Sequence, residues 1–208
     1  PTQLNQIADY KKIYTFSENN EADIQLSMNL KESFLKLEFQ NLSIETQLIG
    51  IYNFSNASAA IAIGQFFKVS PKAIQKGIKS YRPKNNRSEI IKKESNSLVL
   101  DAYNANPSSM AAALENFNTM VADSKIVILG DMFELGEQTA EEHQCLIDLV
   151  ISFDFSAVYF VGAHFSACET SKTKADFFKT TASFCKALKA KDIKDSLILI
   201  KGSRGCLL

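Results

Sequence analysis

The sequence predicts an α/β protein in which a parallel sheet, covered by helices on both faces, fills the second part of the chain behind a smaller region of strands followed by helices. Three observations carry this expectation. The runs "SLVL", "KIVILG", "AVYFVG" and "SLILI" are continuously apolar, as strands buried on both faces are. Helical patterns separate most of them, the alternation that builds parallel sheets. "RPKNN", with Pro83 and two asparagines, is the one linker-like stretch, and it divides the chain into 1–83 and 84–208.

Each element follows from its local pattern. "KIYTFS", "ADIQLSM", "FLKLEF" and "SIETQLIG" show partial period-two alternation, with Leu35, Leu37 and Phe39 on one face, and predict a small antiparallel or mixed sheet. "NFSNASAAIAIGQFF" predicts a helix with Ile61, Gly64 and Phe67 at helical spacing and small residues that allow close packing. "SPKAIQKGIKSY" predicts a second helix with Ser70 as N-cap and Pro71 at its first position. Beyond the linker, "SLVLD" leads to a helix from Pro107 to Val121, capped by Asn106, with Met110, Ala113, Leu114 and Phe117 as its buried stripe. "KIVILGD" leads to a helix from Ala140 to Phe153. A capping box of Thr139 and Glu142 is expected there, and Gly130 and Gly136 permit a tight excursion before it. "AVYFVG" and "SLILIKG" are further buried strands, the latter preceded by the helix "TASFCKALKA". The second part therefore reads as a Rossmann-like domain.

Composition excludes several function classes. The chain has 208 residues, 46% of them hydrophobic, enough for one large domain or two small ones. Its 23 basic and 23 acidic side chains cancel, so no net field captures nucleic acid or an anionic membrane, and an anionic ligand needs a local site. No apolar stretch approaches the ~20 residues of a membrane span, and no signal-peptide pattern opens the chain, so a cytoplasmic protein is expected. Cys145, Cys168, Cys185 and Cys206 are far apart, and only two histidines occur; neither zinc nor a disulfide framework is expected, only buried or idle reduced thiols. The start at Pro1 and the end at "KGSRGCLL" lead to the expectation of a fragment.

Ligands of such sheets bind beyond the carboxyl ends of the strands. Asp101, Asp131, His164, Lys201, Ser203 and Arg204 all fall there. In "DAYNANPSSM", helix capping accounts for Asn106 and Pro107 but not for Asp101, Tyr103 and Asn104. Asp101 reads either as a ligand contact or as a loop acid pairing with backbone amides, and Asn106 either as a cap alone or as a contact too. In "LGDMFELGEQTAEEH", Asp131 and Glu134 have no evident capping duty; they orient an ammonium group, bind a cation or are simply solvated. His143 shares helical spacing with Leu146, Ile147 and Val150 and reads as a polar residue on a core-facing stripe. In "KGSRG", Lys201 and Arg204 either converge on a carboxylate or phosphate or are solvated.

Taken together, "DAYNANPSSM", "LGDMFELG" with a following histidine, and "KGSR" resemble the Mur ligases, in the branch that adds D-alanyl-D-alanine. "LIGIYNFSNASAAIAIG" is similar to the family's Gly-x-His-Asn-x-x-Asn-x-x-Ala-Ala segment, so the resemblance covers nearly the whole chain in order. Relatives in other branches carry an Asp-Tyr-Ala-His type motif where this chain has Asp-Ala-Tyr-Asn-Ala-Asn-Pro. The resemblance implies that 1–83 is the C-terminal part of a central ATP-binding domain and 84–208 the C-terminal ligase domain. It implies a parent enzyme that uses ATP and Mg²⁺ to phosphorylate the carboxylate of UDP-N-acetylmuramoyl-tripeptide. The amine of D-Ala-D-Ala then attacks the acyl phosphate, in peptidoglycan precursor synthesis; a monomer is expected.

By the same resemblance, Asn53, Asn56, Arg87, Asp101 and Tyr103 bind ATP. Asn56 lies near the base, Arg87 reaches ATP from the domain junction and Asp101 accepts from the ribose. Asn104, Asn106, Asp131, Glu134, Lys201, Ser203 and Arg204 bind substrate. The chain departs from the pattern at Tyr52, where many relatives have His. It also has no G-x-x-x-x-G-K-[ST] phosphate loop. No catalytic residue and no metal ligand is assigned within it, and the chain alone is expected to be inactive. The alternatives are another Mur-type or folylpolyglutamate-type ligase and a non-catalytic ligand-binding module.

Overall fold

A computed structural model describes residues 13–18, 21–29, 34–84, 86–168, 174–206 and 208. The chain forms two compact units, 1–82 and 83–208.

In the first unit, β3 (Ser27–Asn29), β4 (Phe34–Phe39) and β5 (Leu42–Ile49) make an antiparallel sheet, and β1 (Phe16–Ser17) pairs with β2 (Ile24–Gln25) in parallel. The strand expected over "KIYTFS" is thus reduced to its last two residues, and Lys12 lies outside the described residues. Alternation works as expected in β4, where Leu35, Leu37 and Phe39 are buried against Ile44, Ile61 and Ile74. Helix α1 (Tyr52–Phe66) buries Ala57, Ile61 and Ala62, and α2 (Pro71–Ser80) starts at Ser70, whose hydroxyl accepts the Ala73 amide at 3.4 Å. Gly64 lets the two helices touch, since a Cβ there would lie 3.0 Å from the Ile74 side chain. Phe67 departs from the expected apolar face: it follows the end of α1 and is 71% exposed, because Lys68 turns the chain away with φ +58°.

The second unit is built on a six-stranded sheet. Its strands are β6 (Glu89–Lys93), β7 (Asn96–Asp101), β8 (Lys125–Gly130), β9 (Ala157–Val161), β10 (Asp176–Phe178) and β11 (Leu197–Lys201), in the spatial order β10-β9-β8-β11-β7-β6. All neighbours are parallel except β6, which forms an antiparallel hairpin with β7. The parallel sheet read from the sequence thus carries one antiparallel strand at its edge. "EIIKK" carries charges and lies at an edge, so it lacks the continuous apolar run that betrays a buried strand. Helices α3 (Pro107–Thr119), α4 (Thr139–Ile151) and α5 (Ala163–Ala167) pack in succession, α3 on α4 and α4 on α5. Helix α6 (Thr181–Leu188) places Phe184 against Ile126, Ile128, Tyr159 and Ile198. The stripe of Met110, Ala113, Leu114 and Phe117 is buried as expected.

Two local expectations fail before α4. The capping box of Thr139 and Glu142 does not form. Gly136–Gln138 is a turn of 3₁₀ helix that runs straight into α4, so Thr139 is itself helical (φ −52°, ψ −48°) and its hydroxyl donates to the Gly136 carbonyl at 2.7 Å. Gly136 does serve the excursion, at φ +59°. Gly130 serves a different end: it closes β8, and a Cβ on Gly202 would come within 2.9 Å of its Cα. The strands β8 and β11 thus leave the sheet with their backbones nearly touching.

Candidate ligand site at the carboxyl edge of the sheet

Because β7, β8 and β11 are parallel neighbours, their carboxyl ends share one edge. Register sets Lys201 beside Asp101 on one side and Leu129 on the other. Lys201 is 2% exposed, and its Nζ lies 2.6 Å from Asp101 Oδ2 and 3.5 Å from the carbonyls of Asp101 and Asn104. The other carboxylate oxygen of Asp101 accepts the Ser88 amide at 3.1 Å and the Ser88 hydroxyl at 3.4 Å. The Asp101 side chain keeps 17% exposure, against 3% for that of Lys201.

Ser88 belongs to a short strained segment. Asn86 and Ser88 both take left-handed conformations (φ +57° and +53°), and between them Arg87 projects its guanidinium 3.6 Å from the centre of the Tyr103 ring. Arg87 and Tyr103 are both exposed. Asn104 is exposed, and Asn106 caps α3 as expected, accepting the Ser109 amide at 2.8 Å while the Ser109 hydroxyl accepts its own amide at 3.2 Å.

Asp131 is arranged differently. It is 3% exposed and accepts the amides of His164 and Phe165 at 2.9 and 3.0 Å, where α5 begins. The reading that it has no capping duty is therefore corrected: it serves a helix other than the one that follows it in sequence. Gly162 (φ +140°) admits the carboxylate, which a Cβ there would overlap. Next to it, His143 is fully buried; its Nδ1 donates to the Thr139 carbonyl at 2.6 Å and its Nε2 accepts the Met132 amide at 3.1 Å. Burial outweighs the Thr139 bond and the Asp131 charge, and pushes the His143 pKa below its ordinary 6.5. The ring is a neutral structural element. Ser203 is buried too, its amide donating to the Asp131 carbonyl and its hydroxyl accepting from Phe133. Glu134 and Arg204 are exposed at the same edge, Glu134 with φ +67°.

In the first unit, Asn53 opens α1 and donates to the Ile49 carbonyl at 2.8 Å, while Asn56, exposed, donates to Asn53 at 3.1 Å. The structure thus brings Asp101, Lys201, Asn104, Tyr103 and Arg87 into one cluster and Asp131 and Ser203 into another. Sequence reasoning missed Ser88; no motif marks it, and its partner lies on the other strand of a hairpin. Among the described residues no group of three His, Cys, Asp or Glu side chains is placed to hold a metal ion. The two edge aspartates face an ammonium and three backbone amides between them, so these carboxylates do not fit Mg²⁺. The four cysteines are free, as expected, with Cys145 and Cys185 exposed and Cys168 and Cys206 partly buried; burial raises Cys206 to about 11.

A family model described as "Mur ligase, glutamate ligase domain" matches residues 86–204. The UDP-N-acetylmuramoyl-tripeptide--D-alanyl-D-alanine ligase of Treponema pallidum is 34% identical over 176 residues, covering 82% of this chain and 38% of that protein. A crystal structure of MurF from Acinetobacter baumannii superposes with a TM-score of 0.84 at 25% identity, covering 99% of this chain and 47% of the other. MurF from Thermotoga maritima, solved in complex with ADP, has the same fold (TM-score 0.78, 19% identity, 99% and 48% covered). The chain spans less than half the length of each of these relatives.

Proposed function

Since the chain belongs to the Mur ligase family, we propose that it is part of an ATP-dependent amide ligase that adds D-Ala-D-Ala to UDP-N-acetylmuramoyl-tripeptide through an acyl phosphate, in peptidoglycan precursor synthesis. One observation carries the reading: a chain 34% identical to a UDP-N-acetylmuramoyl-tripeptide--D-alanyl-D-alanine ligase gathers Asp101, Tyr103 and Arg87 at the carboxyl edge of its sheet. An ion-paired carboxylate is a pure hydrogen-bond acceptor, which suits the hydroxyls of a ribose. A planar guanidinium suits phosphate oxygens, and an exposed phenol ring offers a flat wall beside it. In this reading Asn53 and Asn56 are nucleotide contacts, with Asn56 nearer the base. Asn104, Asn106, Glu134 and Arg204 face the dipeptide, and Asp131 and Ser203 hold the loops that carry these groups.

Transfer of a phosphoryl group depends on charge neutralisation around it. A phosphate loop is absent from these 208 residues, and the edge carboxylates do not fit Mg²⁺, so those parts are assigned to the remainder of the parent. The 208-residue chain alone is inactive in this reading. The parent works in the cytoplasm, where a nucleotide-linked precursor and ATP meet.

The test is phosphate release by the full-length protein with ATP, Mg²⁺ and UDP-N-acetylmuramoyl-tripeptide, comparing D-Ala-D-Ala with single amino acids. Release that requires the dipeptide supports the reading. Release with a single amino acid moves the protein to another branch of the family, and no release with any acceptor overturns the ligase reading.

A further inference from the structure

We propose that Lys201 is a positioning residue that acts through Asp101: its ammonium fixes the carboxylate toward the nucleotide and ties down the loop of residues 102–105, without touching a substrate. The inference deepens the proposed function and rests on Asp101 as the ribose acceptor.

Layering gives the pair its direction. A lysine commonly keeps its ammonium in water, with its methylene stem lying over apolar groups. Lys201 does the reverse, ending inside at 3% side-chain exposure while Asp101, outside it, keeps 17%. A ligand arriving at the edge meets the carboxylate first. The ammonium has three N–H donors, and the three acceptors around it are Asp101 Oδ2, the Asp101 carbonyl and the Asn104 carbonyl. Its donors are thereby directed to the end of β7 and to the loop that bears Tyr103.

Ser88 holds the second oxygen of Asp101 from the opposite side, through the strained segment that presents Arg87. The carboxylate therefore stands between two fixed supports. The hydroxyl of Ser203, two residues beyond Lys201, lies 3.5 Å from the Ala105 carbonyl and continues the support along the same loop. The "KGS" run is in this account the underside of the "DAYNA" loop.

The experiment is steady-state kinetics on the full-length ligase carrying K201M, D101N and both together, with Michaelis constants measured separately for ATP and D-Ala-D-Ala. We expect each single variant to raise KM for ATP about 10-fold. The double variant should do no worse than either in KM for ATP, since both remove one interaction, while K201M, which also frees the loop carrying Asn104, raises KM for D-Ala-D-Ala by no more than a few fold. A merely structural lysine would lower stability without this non-additivity in KM for ATP. If D101N raises KM for ATP and K201M does not, the positioning role falls and the ribose reading stands. If the two effects on KM for ATP multiply, Lys201 acts on a substrate itself and the proposal is overturned. If neither variant changes KM for ATP, the ribose reading has failed and the inference falls with it. Should K201M fold poorly, the double variant, which removes both charges, is expected to recover the lost melting temperature; no recovery rules out the coupling.

Discussion

Asp101 and Asp131 look alike in sequence, each at the end of an apolar strand, before a loop and a helix. The structure makes them opposites. Asp101 is partly exposed, paired with an ammonium and held by one serine. Asp131 is buried, faces two backbone amides, and has beside it a histidine that burial keeps neutral. The difference lies in what stands behind each carboxylate. A buried ammonium behind Asp101 leaves an acceptor facing outward, whereas backbone N–H groups in front of Asp131 use the carboxylate to hold the chain. The first arrangement suits a ligand and the second suits a scaffold.

The scaffold side of this comparison is the easier to break. Gly162→Ala places a methyl group on the Asp131 carboxylate at a backbone conformation that L-residues rarely adopt, and should cost about 4 kcal/mol. Urea unfolding of the 208-residue chain measures it; a loss under about 1 kcal/mol would show that the carboxylate has room to move. Asp131→Ala leaves the buried Phe165 amide and the partly buried His164 amide without their acceptor and should cost about 3 kcal/mol in the same assay. A variant of normal stability but raised KM for D-Ala-D-Ala in the full-length ligase would return Asp131 to the substrate contacts.

His143 sharpens the comparison through pH. Its folded pKa lies below the ordinary 6.5, so between the two values the unfolded chain binds a proton that the native chain refuses. Stability is therefore complete above about pH 6.5 and falls as the pH drops toward the folded value, by up to about 1.4 kcal/mol per pH unit. Asp131 at 3.8 Å, the His164 ring at 5.4 Å and Glu142 are its charged or titratable neighbours. Urea midpoints from pH 7.5 to 5.5 should show this slope, and His143→Gln should flatten it. Equal slopes in the two proteins would place the proton uptake elsewhere.

How much of this was legible depended on how far apart the partners lie. Ser70 and Asn106 were readable as caps because each meets an amide three residues on. The buried strands were readable because immersion on both faces leaves an apolar run. Asp131 reaches amides 33 and 34 residues away, and Lys201 meets a carboxylate 100 residues away; only the insertion of β11 between β7 and β8 makes the second contact. The sequence marked these as polar residues at one edge but did not say which hold a ligand and which hold the protein. Thr139 failed for the opposite reason: its capping pattern was local and complete, but a 3₁₀ turn had already begun the helix.

The smallest effect separates a cap from a contact. Asn106 and Thr180 head their helices with the same geometry: each accepts the amide of a serine three residues on, whose hydroxyl accepts its own amide in return. Replacing either with alanine should cost about 1 kcal/mol, by loss of one cap. Stability alone therefore does not distinguish them. Only Asn106 stands on the loop that carries Asp101, Tyr103 and Asn104, so in the full-length ligase Asn106→Ala should also raise KM for D-Ala-D-Ala by several fold while Thr180→Ala leaves it unchanged. Matching kinetics in the two variants would make Asn106 a cap and nothing more. The substrate face of the loop would then begin at Asn104.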